Sequence, residues 1–328
     1  MIRLLLLIAA LSALVPGTVV SAALDKPEKI SVGYLPHWPT PVQFARIKNT
    51  FDVALGIEVD WVAFEDGNQM SDALARGDIQ IAHSQGHIPF LAAVSRGLDL
   101  TMVGVAVDYA EDDNCIVRSD TGIGRGTAAL LAGNRVAVRT GSISHFRMLG
   151  VLRHLGVDPA QVEIVAVARD GDARAALESG DVVMACASGA VLRELRSLGE
   201  PLMNGVGQSA IGLRVFDSIT VASDFVHQHA DIVQAFMDIV EASNKQWRQN
   251  PQSMLKAIAR ATDLDLASTR QALAGFNFPT AMEQKSDAWL GGDVVDYSKE
   301  LADFFVAEGV LPRALESYER FITTRFLR

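Results

Sequence analysis

NQMSDALARGDIQIAH, Asn68 to His83, and RDGDARAALESGDVVMACAS, Arg169 to Ser188, follow the same plan. Each opens with a polar run of helical spacing and closes on a glycine within ALARGD (Ala73 to Asp78) or ALESGD (Ala176 to Asp181). Each then continues as a short apolar strand. A glycine at this point lets the chain leave a helix through a left-handed residue and drop into a sheet. The repetition predicts two lobes of similar design, each built of strands alternating with helices.

The segments around these two stretches extend the plan. KISVGYL (Lys29 to Leu35) reads as a first strand, and VQFARIKNTF as a helix with Phe44, Ile47 and Phe51 on one side. IEVDWVAF (Ile57 to Phe64) alternates in the manner of a strand near a sheet edge. IPFLAAVSRG and LTMVGVAV add a helix and a fourth strand. The pattern restarts with NRVAVRTG (Asn134 to Gly141), the helix SHFRMLGVLRHLG and the strand QVEIVAV. DSITVASDF returns the chain to the first lobe, and long helices of near 3.6 spacing follow. The expected fold class is therefore α/β, two-lobed, with mostly parallel sheets flanked by helices and a cleft between the lobes. Crossings near residues 115–120 and 215–222 form the hinge. Lobe one comprises 24–117 and 219–328, and lobe two comprises 118–218.

Residues 1–23 are set apart. Arg3 precedes the apolar run Leu4 to Leu14, and Val20, Ser21 and Ala22 supply small residues before a cleavage point, the pattern of an export signal. No Cys lies there to take a lipid, and no later segment is long and apolar enough to span a bilayer. The 328-residue chain has 29 Lys and Arg against 39 Asp and Glu, a net charge of -10, which argues against a nucleic-acid partner. Cys115 and Cys186 are the two cysteines, read either as a bridge in an oxidising compartment or as two buried thiols. Neither C-x-x-C nor H-E-x-x-H spacing occurs, so no metal or cofactor is expected.

In open α/β sheets ligands bind beyond the carboxyl ends of the strands. That rule selects four loops. YLPHWPTP offers Tyr34, His37 and Trp38 as an aromatic wall with polar handles. HSQGHIP offers Gln85, Gly86 and His87 at a helix start, where backbone amides are free. DYAEDDNC offers Asp112 and Asn114 within an acidic loop that also holds Glu111 and Asp113. RTGSISHF offers Thr140, Gly141, Ser142 and Ser144 before a second helix, a seat for an anion without the lysine of a phosphate-binding loop.

VDWVAFEDG, ALARGDIQIAHSQG, LGVDPAQVEIVAV and the closing YERFITTRF together give a resemblance. The chain resembles the periplasmic solute-binding proteins of ABC importers for taurine, alkanesulfonates and nitrate, and most closely their taurine-binding branch. The resemblance implies the type II periplasmic binding protein fold, two hinge strands and closure around a small polar solute. It also implies delivery of that solute to an ABC permease in the cytoplasmic membrane, with the protein itself monomeric, periplasmic and not an enzyme. In that family helix-start amides and hydroxyls hold the sulfonate, and a carboxylate holds the amine. The carboxylate corresponds to Asp217 in RVFDSITV, which abuts the expected hinge strand. ACASGAV (Ala185 to Val191) replaces an aromatic-proline element of the family, while HWP and EDD add an aromatic and negative charge. Capture of taurine or a related amino-sulfonate is the leading reading. Another small amine or organic anion is the alternative, as is a periplasmic enzyme on the same fold.

Overall fold

The structure is a computed structural model that describes residues 26–328. The expected export signal at 1–23 lies outside the described residues. Among the described residues ten strands form two five-stranded sheets: β1 Lys29–Tyr34, β2 Glu58–Ala63, β3 Ile81–Gly86, β4 Leu100–Asp108, β5 Asp113–Arg118, β6 Arg135–Val138, β7 Glu163–Ala166, β8 Met184–Ser188, β9 Gly199–Pro201 and β10 Phe216–Ala222. The sheet orders are β2-β1-β3-β10-β4 and β7-β6-β8-β5-β9. Both are mixed. In each, one strand (β10 in the first, β5 in the second) runs antiparallel to both of its neighbours.

The two glycine stops work as their sequence predicts. Helix Gly67–Arg76 ends at Gly77, φ 76°, and helix Asp170–Ser179 ends at Gly180, φ 83°. A side chain at either φ clashes with its own carbonyl, which is why glycine stands there. Strand β2, alternating and half exposed, lies at the edge of its sheet, with Lys29 bridging to Asp60 at 3.0 Å across the β1–β2 pair. Strand β3 is buried through Gln85 because β1 and β10 flank it and helices cover it.

One boundary is corrected. The first crossing, expected near 115–120, falls earlier, between Asp108 and Asp113. Residues Asp113 to Val117 pair with β8 in the second sheet, so the strand at 113–118 belongs to lobe two. The reason is that Cys115 stands opposite Cys186 in that antiparallel pair, and the two form a disulfide. The second crossing runs through residues 211–215 into β10, which pairs with β3 and β4. The C-terminal YERFITTRF folds back along β4. Ile322 bridges Met102, and the buried Tyr318 hydroxyl meets Ser95 Oγ at 2.8 Å.

The disulfide closes a long loop across the centre of the second sheet, its cysteines 71 positions apart in sequence. Restricting the unfolded chain in this way stabilises a domain by about 2–4 kcal/mol. Replacing both cysteines with serine should lower the urea midpoint by a corresponding amount without changing ligand affinity. An unchanged midpoint in the double variant counts against a stabilising bridge.

The lobes also meet away from the crossings. Helix Ile143–His154 of the second lobe packs on helix Asp293–Ala307 of the first, with Phe304 5.3 Å from both the His145 and Phe146 rings. His145 Nδ1 lies 3.5 Å from the Glu308 carboxylate.

Candidate functional site

β10 decides the geometry. Inserted between β3 and β4, it sets Asp217 opposite Gly86 on one side and Val107 on the other. Gly86 caps the start of helix His87–Ser95. A methyl group at Gly86 stands 3.7 Å from Asp217 Oδ1, so the carboxylate lies against the first turn of that helix. Just before Gly86 the chain bulges: Ser84 has φ 63°, and the β3–β10 register shifts there. A non-glycine residue at such a φ is strained, as residues beside binding sites often are.

Asp217 is 4 % exposed. Its neighbours are the Tyr109 hydroxyl and the Trp38 indole. Burial pushes its pKa up to about 8, against which the hydroxyl and the indole hold it down. The indole Nε1 nevertheless makes no well-formed hydrogen bond. Among the described residues no cationic side chain contributes to holding this carboxylate ionised. Trp38 packs edge-on to Tyr109 at 5.5 Å and tilted on Phe276 at 4.7 Å, so the two rings beside the carboxylate are Trp38 and Tyr109, with Phe276 bracing the indole. Such a pocket favours a ligand group that brings a positive charge.

Beside Asp217 a small cavity of about 70 Å³ is lined by Gly86, His87, Tyr109, Ile143, Val215 and Tyr297, among others. Helices His87–Ser95 and Ile143–His154 both begin on it. Two helix N-termini converging on one cavity present free amides and the positive ends of two dipoles. His87 is buried and neutral. Burial drives its pKa down to about 3, its Nε2 meets Ser298 Oγ at 2.9 Å, and its Nδ1 has no partner.

The other residues singled out by sequence are distributed as follows. Tyr34 turns to the helix layer, edge-on to Trp61 at 5.9 Å and beneath the Arg46 guanidinium at 4.4 Å. His37 is exposed and bonds the Thr262 carbonyl through Nδ1 at 3.0 Å. Gln85 is fully buried. Its Nε2 donates to Ser71 Oγ at 2.6 Å, and its Oε1 has no partner. Asp112 pairs with Arg193 at 2.9 Å. Asn114 is spent inside lobe two, donating to the Met203 carbonyl and accepting from Gln208 Nε2. Thr140 and Gly141 stand at the rim, Gly141 beside Val310 and Glu308 of the other lobe. Ser142 caps the helix, its Oγ accepting from the His145 amide and donating to the Arg139 carbonyl. Ser144 Oγ donates to Asp113 Oδ2 at 2.6 Å.

The structure thus brings Trp38, Gly86, His87 and Asp217 together, and it engages Tyr34, Gln85, Asn114 and Ser144 in internal packing. Two ring residues escaped sequence reasoning. Tyr109 follows β4, where a ligand loop belongs, but its acidic neighbours drew the attention. Phe276 carries no local signal at all, since only the tertiary fold delivers it to Trp38.

Two mixed α/β lobes joined by two crossings give the fold shared with the periplasmic binding proteins. The model of the family described as NMT1/THI5 like matches residues 40–254, and the chain belongs to that family. It is 26% identical over 294 residues to the taurine-binding periplasmic protein of Escherichia coli (strain K12), covering 88% of this chain and 89% of that one. The crystal structure of the periplasmic aliphatic sulphonate binding protein SsuA from Escherichia coli superposes with a TM-score of 0.69. It is 21% identical and covers 92% of this chain and 100% of that one. The crystal structure of the desulfurization enzyme DSZB shares the fold with a TM-score of 0.60 at 18% identity. That match covers 92% of this chain and 98% of the enzyme.

Proposed function

We propose that this protein binds a small amino-sulfonate of the taurine class outside the cytoplasmic membrane and delivers it to an ABC permease. The observation that carries the reading is Asp217, a buried carboxylate with no cation beside it, adjoining two helix N-termini. A ligand with an ammonium at one end and an oxyanion a few bonds away satisfies both. Asp217, with Tyr109 and Trp38, takes the ammonium. The amides at Gly86, His87 and the Ser142–Ile143 turn take the oxyanion. The lobes divide between Asp108 and Asp113 and at residues 211–215, and they close over the solute as rigid bodies. The relatives named for taurine and aliphatic sulfonates support the sulfonate end of this reading.

Titration calorimetry with taurine, ethanesulfonate and ethylamine tests it. Taurine should bind tightest. Each half-ligand should be weaker by roughly tenfold or more, the worth of a charge-assisted hydrogen bond removed. If taurine and ethanesulfonate both fail to bind, the sulfonate reading is wrong. If ethanesulfonate matches taurine, Asp217 does not read an amine.

A further inference from the structure

The two connecting segments present different residues to their two sides. Tyr109 and Val215 line the cavity between the helix N-termini, whereas Asp108, Ala110 and Arg214 line a separate concavity behind it. This rear concavity holds about 750 Å³ of empty space, including its open mouth. Its walls come from both lobes: Glu111 and Ser209 on one side, Gly275, Asn277 and Trp289 on the other.

Arg214 is the unexplained group there. It is 5 % exposed, and its Nε is buried without a partner. Among the described residues no hydrogen bond and no ion pair satisfies its guanidinium, which lies over the Trp289 ring at 4.3 Å. Stacking on an indole covers one face of the guanidinium and leaves its in-plane N–H groups for a partner. A flat, two-oxygen acceptor is the partner that fork fits best. Asp108 is already engaged, accepting from the Ala110 amide at 3.0 Å and held also by the Asn277 side chain. Asp108 and Asp293 lie near enough to favour the charged guanidinium, but neither meets its N–H edge, which stays available to an acceptor from solution.

We propose that the rear concavity at Arg214 is a second binding site, separate from the cleft, for a small carboxylate held by the guanidinium edge over Trp289. Ser209 and Asn277 lie on its walls to share the carboxylate oxygens. The occupant contacts both lobes next to the segments on which they turn. The site does not depend on what the cleft binds.

Acetate is the probe, at constant ionic strength with chloride as the balance. The Trp289 indole N–H resonance, assigned with Trp289→Phe, should move saturably as acetate is added. Arg214→Gln should weaken the acetate response by roughly tenfold or more, the effect of losing a charged donor. Asn277→Asp adds negative charge at an exposed wall position and should weaken it as well, which decides the matter should Arg214→Gln fail to fold. Asp217→Asn should leave the acetate titration as it is, whatever that variant does to sulfonate binding. The proposal is overturned if acetate gives no saturable shift, or if Asn277→Asp responds like the parent. It is equally overturned if Asp217→Asn abolishes the response, since acetate then sits in the cleft.

Discussion

Asp217→Asn should weaken binding of an amine-bearing sulfonate by ~2–5 kcal/mol above about pH 8, the range for truncating one partner of a buried charge pair. The substitution keeps the shape of the side chain and its place opposite Gly86, and removes only the charge that no neighbour balances. A sulfonate lacking the amine should bind the variant at least as well as the parent. The parent should also show a proton-linked affinity. With a pKa of about 8, Asp217 holds its proton at neutral pH when the cleft is empty. A ligand ammonium favours the ionised form, so binding below that pKa releases a proton. Affinity should then rise by up to about tenfold per pH unit as pH approaches 8. Calorimetry in two buffers of different ionisation enthalpy counts the released proton directly. An affinity flat from about pH 6 to about pH 8, with no buffer dependence, removes Asp217 as the counter-ion.

The same group shapes stability, with the opposite sense. The unfolded chain gives up this proton near pH 4, whereas the folded, empty protein keeps it until about pH 8. In that window the folded state binds more protons, so Asp217 contributes stability that is present at low pH and lost as pH rises toward 8. Asp217→Asn should abolish that decline in the ligand-free protein.

Arg147→Met should cost ~3–5 kcal/mol of folding stability, because it strips the cation from a fully buried ion pair. The side chains of Arg147 and Asp113 are each 2 % exposed. Arg147 Nη1 donates to Asp113 Oδ1 at 3.1 Å and to the Asp113 carbonyl, while Nη2 donates to the Ala110 carbonyl at 3.1 Å. One side chain on helix Ile143–His154 therefore ties down both ends of the first crossing. Burial already raises the Asp113 pKa, with Arg147 and the Ser144 hydroxyl opposing it. Without Arg147 the carboxyl rises further and takes up a proton, so the deficit should shrink as pH falls toward the ordinary carboxylate range. Asp113→Asn combined with Arg147→Met should recover much of the loss, since no charge is then left stranded. Denaturant unfolding of the single and double variants measures this. A loss under about 1 kcal/mol in Arg147→Met means that the pair contributes little net stability.

The sequence by itself determined what depends on near neighbours. Helix stops at Gly77 and Gly180 follow from backbone sterics, and the alternation of β2 follows from its place at a sheet edge. Those local rules suffice for two α/β lobes, for the loops beyond the strand ends, and for the return of Phe216–Ala222 to the first sheet. Tertiary structure alone decided which polar groups are free. Ser144 and Asn114 look like ligand donors in sequence, yet Asp113 and Gln208, brought close only by folding, occupy them. Arg147 is buried in an ion pair with Asp113, whereas Arg214, in the second crossing, is buried with its Nε unpartnered among the described residues. The first crossing moved to 109–112 because β5 pairs with β8, a choice made across the sheet. Asp217 meets Gly86, and Trp38 meets Phe276, through strand register and helix packing between segments distant in sequence. Periodicity records which face of an element is apolar; it does not record which partner that face meets, and a buried charge takes its role from that partner.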